Sequence, residues 1–158
     1  MSSAVSAAPA QILTFHLDQQ LFGVDILRVR EIRGLAQVTA VPETPPHVLG
    51  VLNLRGVVVP VIDLRTRLGM PAVAGTATTV IVVLTVMGAN GRRDFGLVVD
   101  AVSDVSHLNQ GDVQATPSGI TVSDRNCVPA LATLGERMIL LLDIDGMLAA
   151  DEGVALAA

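Results

Sequence analysis

The chain has no lysine, no tryptophan and no tyrosine, one cysteine, and three phenylalanines in 158 residues. Each scarcity removes a class of protein. A lone Cys127 leaves no intramolecular disulfide framework and no multi-cysteine zinc site, and it fits a reducing compartment. Positive charge is limited to ten arginines against fifteen acidic residues, for a net charge of −5. That balance argues against nucleic acid and against an anionic membrane surface, both of which select basic patches. Long apolar runs are missing too. Thr79 to Met87 is less than half of the roughly 20 residues a spanning helix needs, and Val48–Asp63 is broken by Asn53 and Arg55. Residues 1–10 lack the basic start and continuous apolar stretch of a signal peptide and read as a flexible leader. The expectation is a soluble, cytoplasmic protein with no membrane insertion.

What is present is apolar side chain: 51% of residues are hydrophobic and 16% charged, enough for a sizeable core and far from a disordered composition. With so few aromatics, Val, Leu, Ile and Ala must fill the interior. The apolar runs are short, β-branched and separated by Gly, Pro, Asn and Asp, the pattern of an all-β chain. Gln11–Leu17 alternates as a half-buried strand, with Leu21–Val24 as its hairpin partner. From Asp25 to Arg33, Ile26, Val29 and Ile32 fall three apart, which predicts a helical turn or two. Gln37–Val41 reads as a strand stopped by Pro42–Pro46. In Val57–Asp63, Pro60 cannot donate to a ladder and predicts an edge strand or a bulge. Pro71 to Thr78 is a small-residue loop. Thr79–Met87 reads as a strand buried on both faces, and Asp94–Val105 resumes strand character after a Gly-rich turn. His107 to Asn126 is polar and turn-rich. Cys127–Leu134 and Met138–Asp143 form a closing hairpin around Gly135-Glu136, and Ile144–Ala150 predicts a short helix leading into the tail. Roughly ten short strands in so small a chain point to barrels or a sandwich.

The residues able to do chemistry do not converge. His16, His47 and His107 lie in different elements without metal-site spacing. Ser103-Asp-Val-Ser-His107 holds the residue types of a triad, but extended neighbours face opposite ways and no nucleophile elbow is present. Gly91-Arg-Arg-Asp-Phe-Gly96 matches no phosphate loop and reads as a hairpin turn. Asp143 and Asp145 suit a helix cap better than an acid–base pair. Cys127 has no neighbouring base and reads as a buried structural thiol. Nothing here asks for catalysis, a metal or a cofactor. Glu31 and Arg55 are of another kind: charges set in apolar surroundings, Val29-Arg-Glu-Ile32 and Val51-Leu-Asn-Leu-Arg-Gly-Val57. Such charges need a partner or a working surface, so a structural ion pair, a solvated strand face and an interaction site all fit.

The same segments carry a family resemblance. Phe22-Gly-Val-Asp-Ile-Leu-Arg-Val-Arg-Glu-Ile-Arg-Gly34 and Gly50-Val-Leu-Asn-Leu-Arg-Gly-Val-Val-Val-Pro-Val-Ile-Asp-Leu-Arg65 resemble the CheW-like domain family of bacterial chemotaxis coupling proteins. Phe95-Gly-Leu-Val-Val-Asp-Ala-Val-Ser-Asp-Val105 and Leu134-Gly-Glu-Arg-Met-Ile-Leu-Leu-Leu-Asp143 continue the likeness in order, so that it covers about residues 11–150. At Ala115-Thr-Pro-Ser-Gly119 the chain departs from the family, lacking charged and aromatic residues.

The resemblance implies an all-β fold of two five-stranded SH3-like β-barrels packed side by side, with short helical segments and a C-terminal helix. The first barrel would span 11–75 and the second 76–145, with strands exchanged between them, and a helix or tail would occupy 146–158. It implies a stand-alone, non-enzymatic adaptor without cofactors that couples methyl-accepting chemotaxis receptors to the regulatory domain of the histidine kinase CheA. The cytoplasmic tip of the receptor would lie in a groove between the barrels, which brings the adaptor to membrane-associated receptor clusters. On this carry-over Glu31, Ile32, Arg55 and Val102 face the receptor, and Val29, Gly50 and Gly56 lie at or beside the kinase contact. A pilus-motility or second-messenger pathway suits the same sequence. A small ligand-binding barrel would need a polar constellation that the sequence lacks.

Overall fold

The computed structural model describes residues 9–35, 38–71, 73–88, 91–117 and 127–148. Eleven strands are present among them: β1 Gln11–Leu17, β2 Gln20–Asp25, β3 Val29–Gly34, β4 Val48–Leu54, β5 Val57–Asp63, β6 Val80–Gly88, β7 Gly91–Val99, β8 Ala101–His107, β9 Val113–Ala115, β10 Ala130–Leu134 and β11 Arg137–Leu141. Two short α-helices, α1 (Leu64–Arg67) and α2 (Ile144–Leu148), and two 3-10 turns complete the order. The chain is all-β, as composition and patterning predict.

The strands form a six-stranded sheet, β8-β1-β2-β11-β10-β9, and a five-stranded sheet, β3-β6-β7-β5-β4. The division expected at residue 75 is crossed by strand exchange, which the expectation allowed. β1 and β2 leave the N-terminal part to pair with β8 and β11, while β6 and β7 pair with β3 and β5. The expected count of five strands per unit becomes six and five.

Alternation explains how two curled sheets share so small a chain. On β6, Ile81 and Val83 point into a core inside the five-stranded sheet with Leu52, Leu54, Val59, Val61 and Val98. Val82, Leu84 and Val86, one residue out of phase, face the six-stranded sheet. There they meet Leu13, Phe15, Phe22 and Val24 from β1 and β2, Phe95, Leu97 and Val99 from β7, and Met147 and Leu148 from α2. A third core, around Ile12, Ala132, Ile139 and Leu141, fills the six-stranded sheet. The reading of Thr79–Met87 as a strand with both faces buried holds over Ile81–Val86, whereas Thr79 precedes the strand and Met87 is exposed. Phe15 and Phe22 stack with centroids 6.0 Å apart in the shared core.

Three readings of the sequence are corrected. Asp25–Arg33 is one 3-10 turn, Ile26–Arg28, followed by β3. The β-branched Val29 and Ile32 suit an edge strand whose side chains alternate half-buried and exposed. The strand expected at Gln37–Val41 reduces, among the described residues, to a single bridge between Thr39 and Val51. Pro60 lies neither on an edge strand nor at the bulge, which falls between Val48 and Gly50. It is tolerated inside the sheet because the β5–β7 ladder begins only at Val61. The C-terminal helix is present over Ile144–Leu148; its expected continuation at 149–150, the tail, residues 1–8 and part of the Ala115–Gly119 departure lie outside the described residues.

Candidate functional site

Glu31 sits on the half-buried phase of β3, the outermost strand at one end of the five-stranded sheet. At the other end, β4 turns into β5 through Arg55 and Gly56, both with positive φ (51° and 89°). A two-residue hairpin whose strands twist to the right needs that conformation at both positions, and Gly56 adopts it without steric cost. The Asn53 side chain accepts the Gly56 N–H at 2.9 Å and fixes the turn. Curling of the sheet then brings its two ends together: Arg55 Nη2 donates to Glu31 Oε1 at 3.0 Å, and Arg33 Nε donates to Glu31 Oε2 at 2.9 Å. The Arg33 and Arg55 guanidiniums hold the Glu31 carboxyl below the usual carboxylate range. Arg55 itself is 71% exposed, against 23% for Glu31.

Around this pair the surface is apolar where it is accessible. Ile32, on the opposite phase of β3 from Glu31, is 45% exposed, and Val57 and Val58 at the start of β5 are 58% and 61% exposed. Eight of the ten arginines fall between residues 28 and 93, a stretch with only three acids, Glu31, Glu43 and Asp63. At this rim two of them, Arg33 and Arg55, share the one carboxylate of Glu31 beside exposed apolar side chains.

Of the other residues singled out in the sequence, Gly56 shares the turn with Arg55, while Val102, Val29 and Gly50 contribute no contact to the pair among those described. Val102 belongs to β8 of the six-stranded sheet, opposite Phe15, and is half-buried against the shared core. Val29 packs on that core from β3. Gly50 is buried, and a Cβ there would lie 2.1 Å from the Thr39 carbonyl oxygen. Gly56 is exposed with open space around it. A concavity lined by Leu35, Leu49, Arg65, Val73, Val98 and Asp100, among others, contains none of the seven residues.

Of the Ser103–His107 constellation set aside as non-catalytic, Asp104 and Ser106 do meet, with Thr14 from β1. The Thr14 hydroxyl donates to Asp104 at 2.6 Å, and Ser106 lies 3.3 Å from the same carboxylate oxygen. Hydrogen bonding to Thr14 holds the Asp104 carboxyl low. No group of three metal-capable side chains occurs among the described residues. Cys127 is buried. Asp143 does accept the Gly146 N–H at 3.2 Å as a cap, but Asp145 does not: it pairs with Arg28. Sequence reasoning missed that pair, a second one between Arg65 and Asp100, and the exposure of Val57 and Val58. A valine run reads as strand interior, and its first two members show their position only once the turn is placed.

Comparison with known proteins decides the family. The CheW-like domain profile matches residues 11–152. The chain belongs to the CheW-like domain family. It is 41% identical over 142 residues to the chemotaxis protein CheW of Klebsiella aerogenes, covering 90% of this chain and 83% of that protein. It is 39% identical to the chemotaxis protein CheW of Rhizobium meliloti, over 90% and 89% of the two chains. The crystal structure of the scaffolding protein TtCheW from Thermoanaerobacter tengcongensis superposes with a TM-score of 0.79 at 30% identity, covering 89% of this chain and 92% of that one. The two sheets of this CheW-like chain are accordingly two SH3-like barrels, and its class is that of a bacterial chemotaxis adaptor. No helix among the described residues is long and apolar enough to cross a membrane.

Proposed function

We propose that this CheW-like chain is a non-catalytic coupling protein, holding the cytoplasmic tip of methyl-accepting chemotaxis receptors and the regulatory domain of the kinase CheA in one assembly. The observation that carries the reading is the rim at Glu31 and Arg55. There a solvent-accessible Glu31–Arg55 pair, with Arg33 on the second carboxylate oxygen, sits beside exposed Ile32, Val57 and Val58 on a family scaffold. Apolar anchors give a helical partner area to bury, and polar neighbours fix its orientation. On this reading Glu31, Ile32 and Arg55, with Val102 from the other sheet, face the receptor. Val29, Gly50 and Gly56 support the kinase side, Gly50 through the backbone approach it permits. Each contact is small and weak alone, and repetition in a membrane-associated cluster raises the effective affinity.

The test is kinase autophosphorylation with receptor-bearing membranes and CheA, with and without the chain. Activation that needs all three components supports coupling. A folded chain that leaves the rate unchanged removes it.

A further inference from the structure

The described chain passes between its sheets twice, and an arginine–carboxylate pair with two hydrogen bonds sits at each passage. The first passage, from β2 to β3, is the Ile26–Arg28 turn. Arg28 donates from Nη1 to Asp145 Oδ1 at 2.9 Å and from Nη2 to Oδ2 at 2.7 Å. Nη1 also reaches the Thr85 carbonyl of β6 at 3.1 Å, and Asp145 Oδ1 accepts the Met87 N–H at 2.9 Å. Asp145 lies on α2, which follows the last strand of the six-stranded sheet. The second passage, from β7 to β8, is Asp100 itself. Its carboxylate takes Arg65 Nε at 2.9 Å, Arg65 Nη2, and the Asp18 N–H at 2.7 Å. Arg65 belongs to α1 on the five-stranded side, and Asp18 to the β1–β2 turn on the other. The Asp100 N–H donates to the His16 carbonyl at 3.0 Å, and its own carbonyl accepts the Thr78 hydroxyl at 2.9 Å.

Beyond these pairs the contact between the sheets, among the described residues, is the shared apolar core, a single bond from Arg67 Nη2 of α1 to the Met147 carbonyl of α2 at 2.7 Å, and a looser Arg65–Asp18 ion pair at 3.9 Å. Apolar burial resists separation but has little directional preference. Two-pronged guanidinium–carboxylate pairs are directional. Two fixed points leave one body only a rotation about the line joining them, which the shared core and the Arg67–Met147 bond resist, whereas one fixed point leaves a pivot in every direction. We propose that the Arg28–Asp145 and Arg65–Asp100 pairs are a two-point lock on the angle between the sheets, and that opening either frees a hinge motion while both sheets stay folded. All four side chains keep partial access to water, from 12% at Arg65 to 33% at Asp145, so the pairs can open without breaching the core. The consequence for signalling rests on the coupling reading above: the proposed receptor residues straddle both sheets, Val102 lying two positions beyond Asp100, so one receptor can touch them together only at one sheet angle.

The experiment uses the full chain in a Cys127→Ala background, spin-labelled at Arg92→Cys on β7 and Gln114→Cys on β9, both exposed positions. Inter-label distance distributions are compared among the parent, Asp100→Asn, Asp145→Asn and the double variant, with circular dichroism and amide exchange on each. The lock predicts one narrow distribution for the parent and a width at least about twofold larger for the double variant. It also predicts roughly tenfold faster exchange at the Asp18 and Met87 amides, with central β6 amides and the spectrum unchanged. Unaltered distributions in the double variant overturn the proposal. So does loss of the folded spectrum in Asp100→Asn, which makes the pair a condition of folding. The readout needs no partner, so it stands or falls separately from the kinase assay.

Discussion

Arg55, at the tip of the β4–β5 hairpin, holds Glu31 on β3 at 3.0 Å across the two ends of one five-stranded sheet. The same contact serves closure and presentation. It joins strands that share no ladder, and it leaves a 71% exposed guanidinium at the rim. Arg55→Glu places two carboxylates together and removes the rim cation, while Arg33 still holds Glu31. The variant is expected to keep the parent's circular dichroism and a melting temperature within a few degrees of it. Its association with receptor-bearing membranes in a sedimentation assay falls about tenfold or more. Global unfolding of the variant would make the pair a structural element alone.

Gly50 and Gly56 separate by stability. At Gly50 an added Cβ collides with the Thr39 carbonyl oxygen at 2.1 Å, and backbone must move to relieve it. Gly50→Ala is expected to cost about 2–4 kcal/mol in urea denaturation. At Gly56 the space is open and only the positive φ is strained, so Gly56→Ala costs about 1 kcal/mol. Equal losses at the two positions would contradict the close approach seen at Thr39.

What could be read from the sequence follows from which forces act locally. β1, β2, β6 and the β10–β11 hairpin are set by alternation and by turn residues such as Gly135, with φ 62°, and those signals lie within a few residues. The Asp25–Arg33 reading failed because a three-residue spacing cannot distinguish one 3-10 turn from a helix when the next residues join a neighbouring strand. Which strands are exchanged between the two units was not legible, for a stronger reason. β11 pairs in parallel with β2, more than a hundred residues away, and no local pattern encodes that. At the site, Glu31 and Arg55 stood out because charge in apolar surroundings is costly. The Arg28–Asp145 and Arg65–Asp100 pairs did not, because each residue alone is an ordinary surface charge.

Asp100 sets a sign for acid stability. Its carboxyl is held below the ordinary value chiefly by hydrogen bonding to Arg65, with help from the Asp18 N–H and against the effect of burial. The folded state therefore gives up this proton more readily than the unfolded chain. The stabilisation is complete above the unfolded value, about pH 4, and drains away as pH falls through the folded value. Glu31 and Asp104 shift in the same direction. Urea denaturation is expected to show stability falling below about pH 4, with a shallower fall in Asp100→Asn. An identical slope in that variant would mean that the Arg65 contact contributes nothing to proton linkage.

Ile32 and Val58 test whether the exposed apolar rim is a working surface. Both are well exposed in the folded chain, so folding removes little of their area from water and an aspartate there meets solvent. Ile32→Asp and Val58→Asp are each expected to change unfolding free energy by about 0.5 kcal/mol or less. By contrast Leu84→Ala, in the shared core, costs about 2–5 kcal/mol. If the rim anchors a partner, the two exposed variants lose binding about tenfold or more while remaining folded. Parallel titrations against receptor-bearing membranes and against CheA then assign each residue to one partner: a loss confined to receptor binding places it on the receptor face, and a loss confined to CheA places it on the kinase face. Parent-like binding to both by both variants would show that these apolar side chains anchor neither.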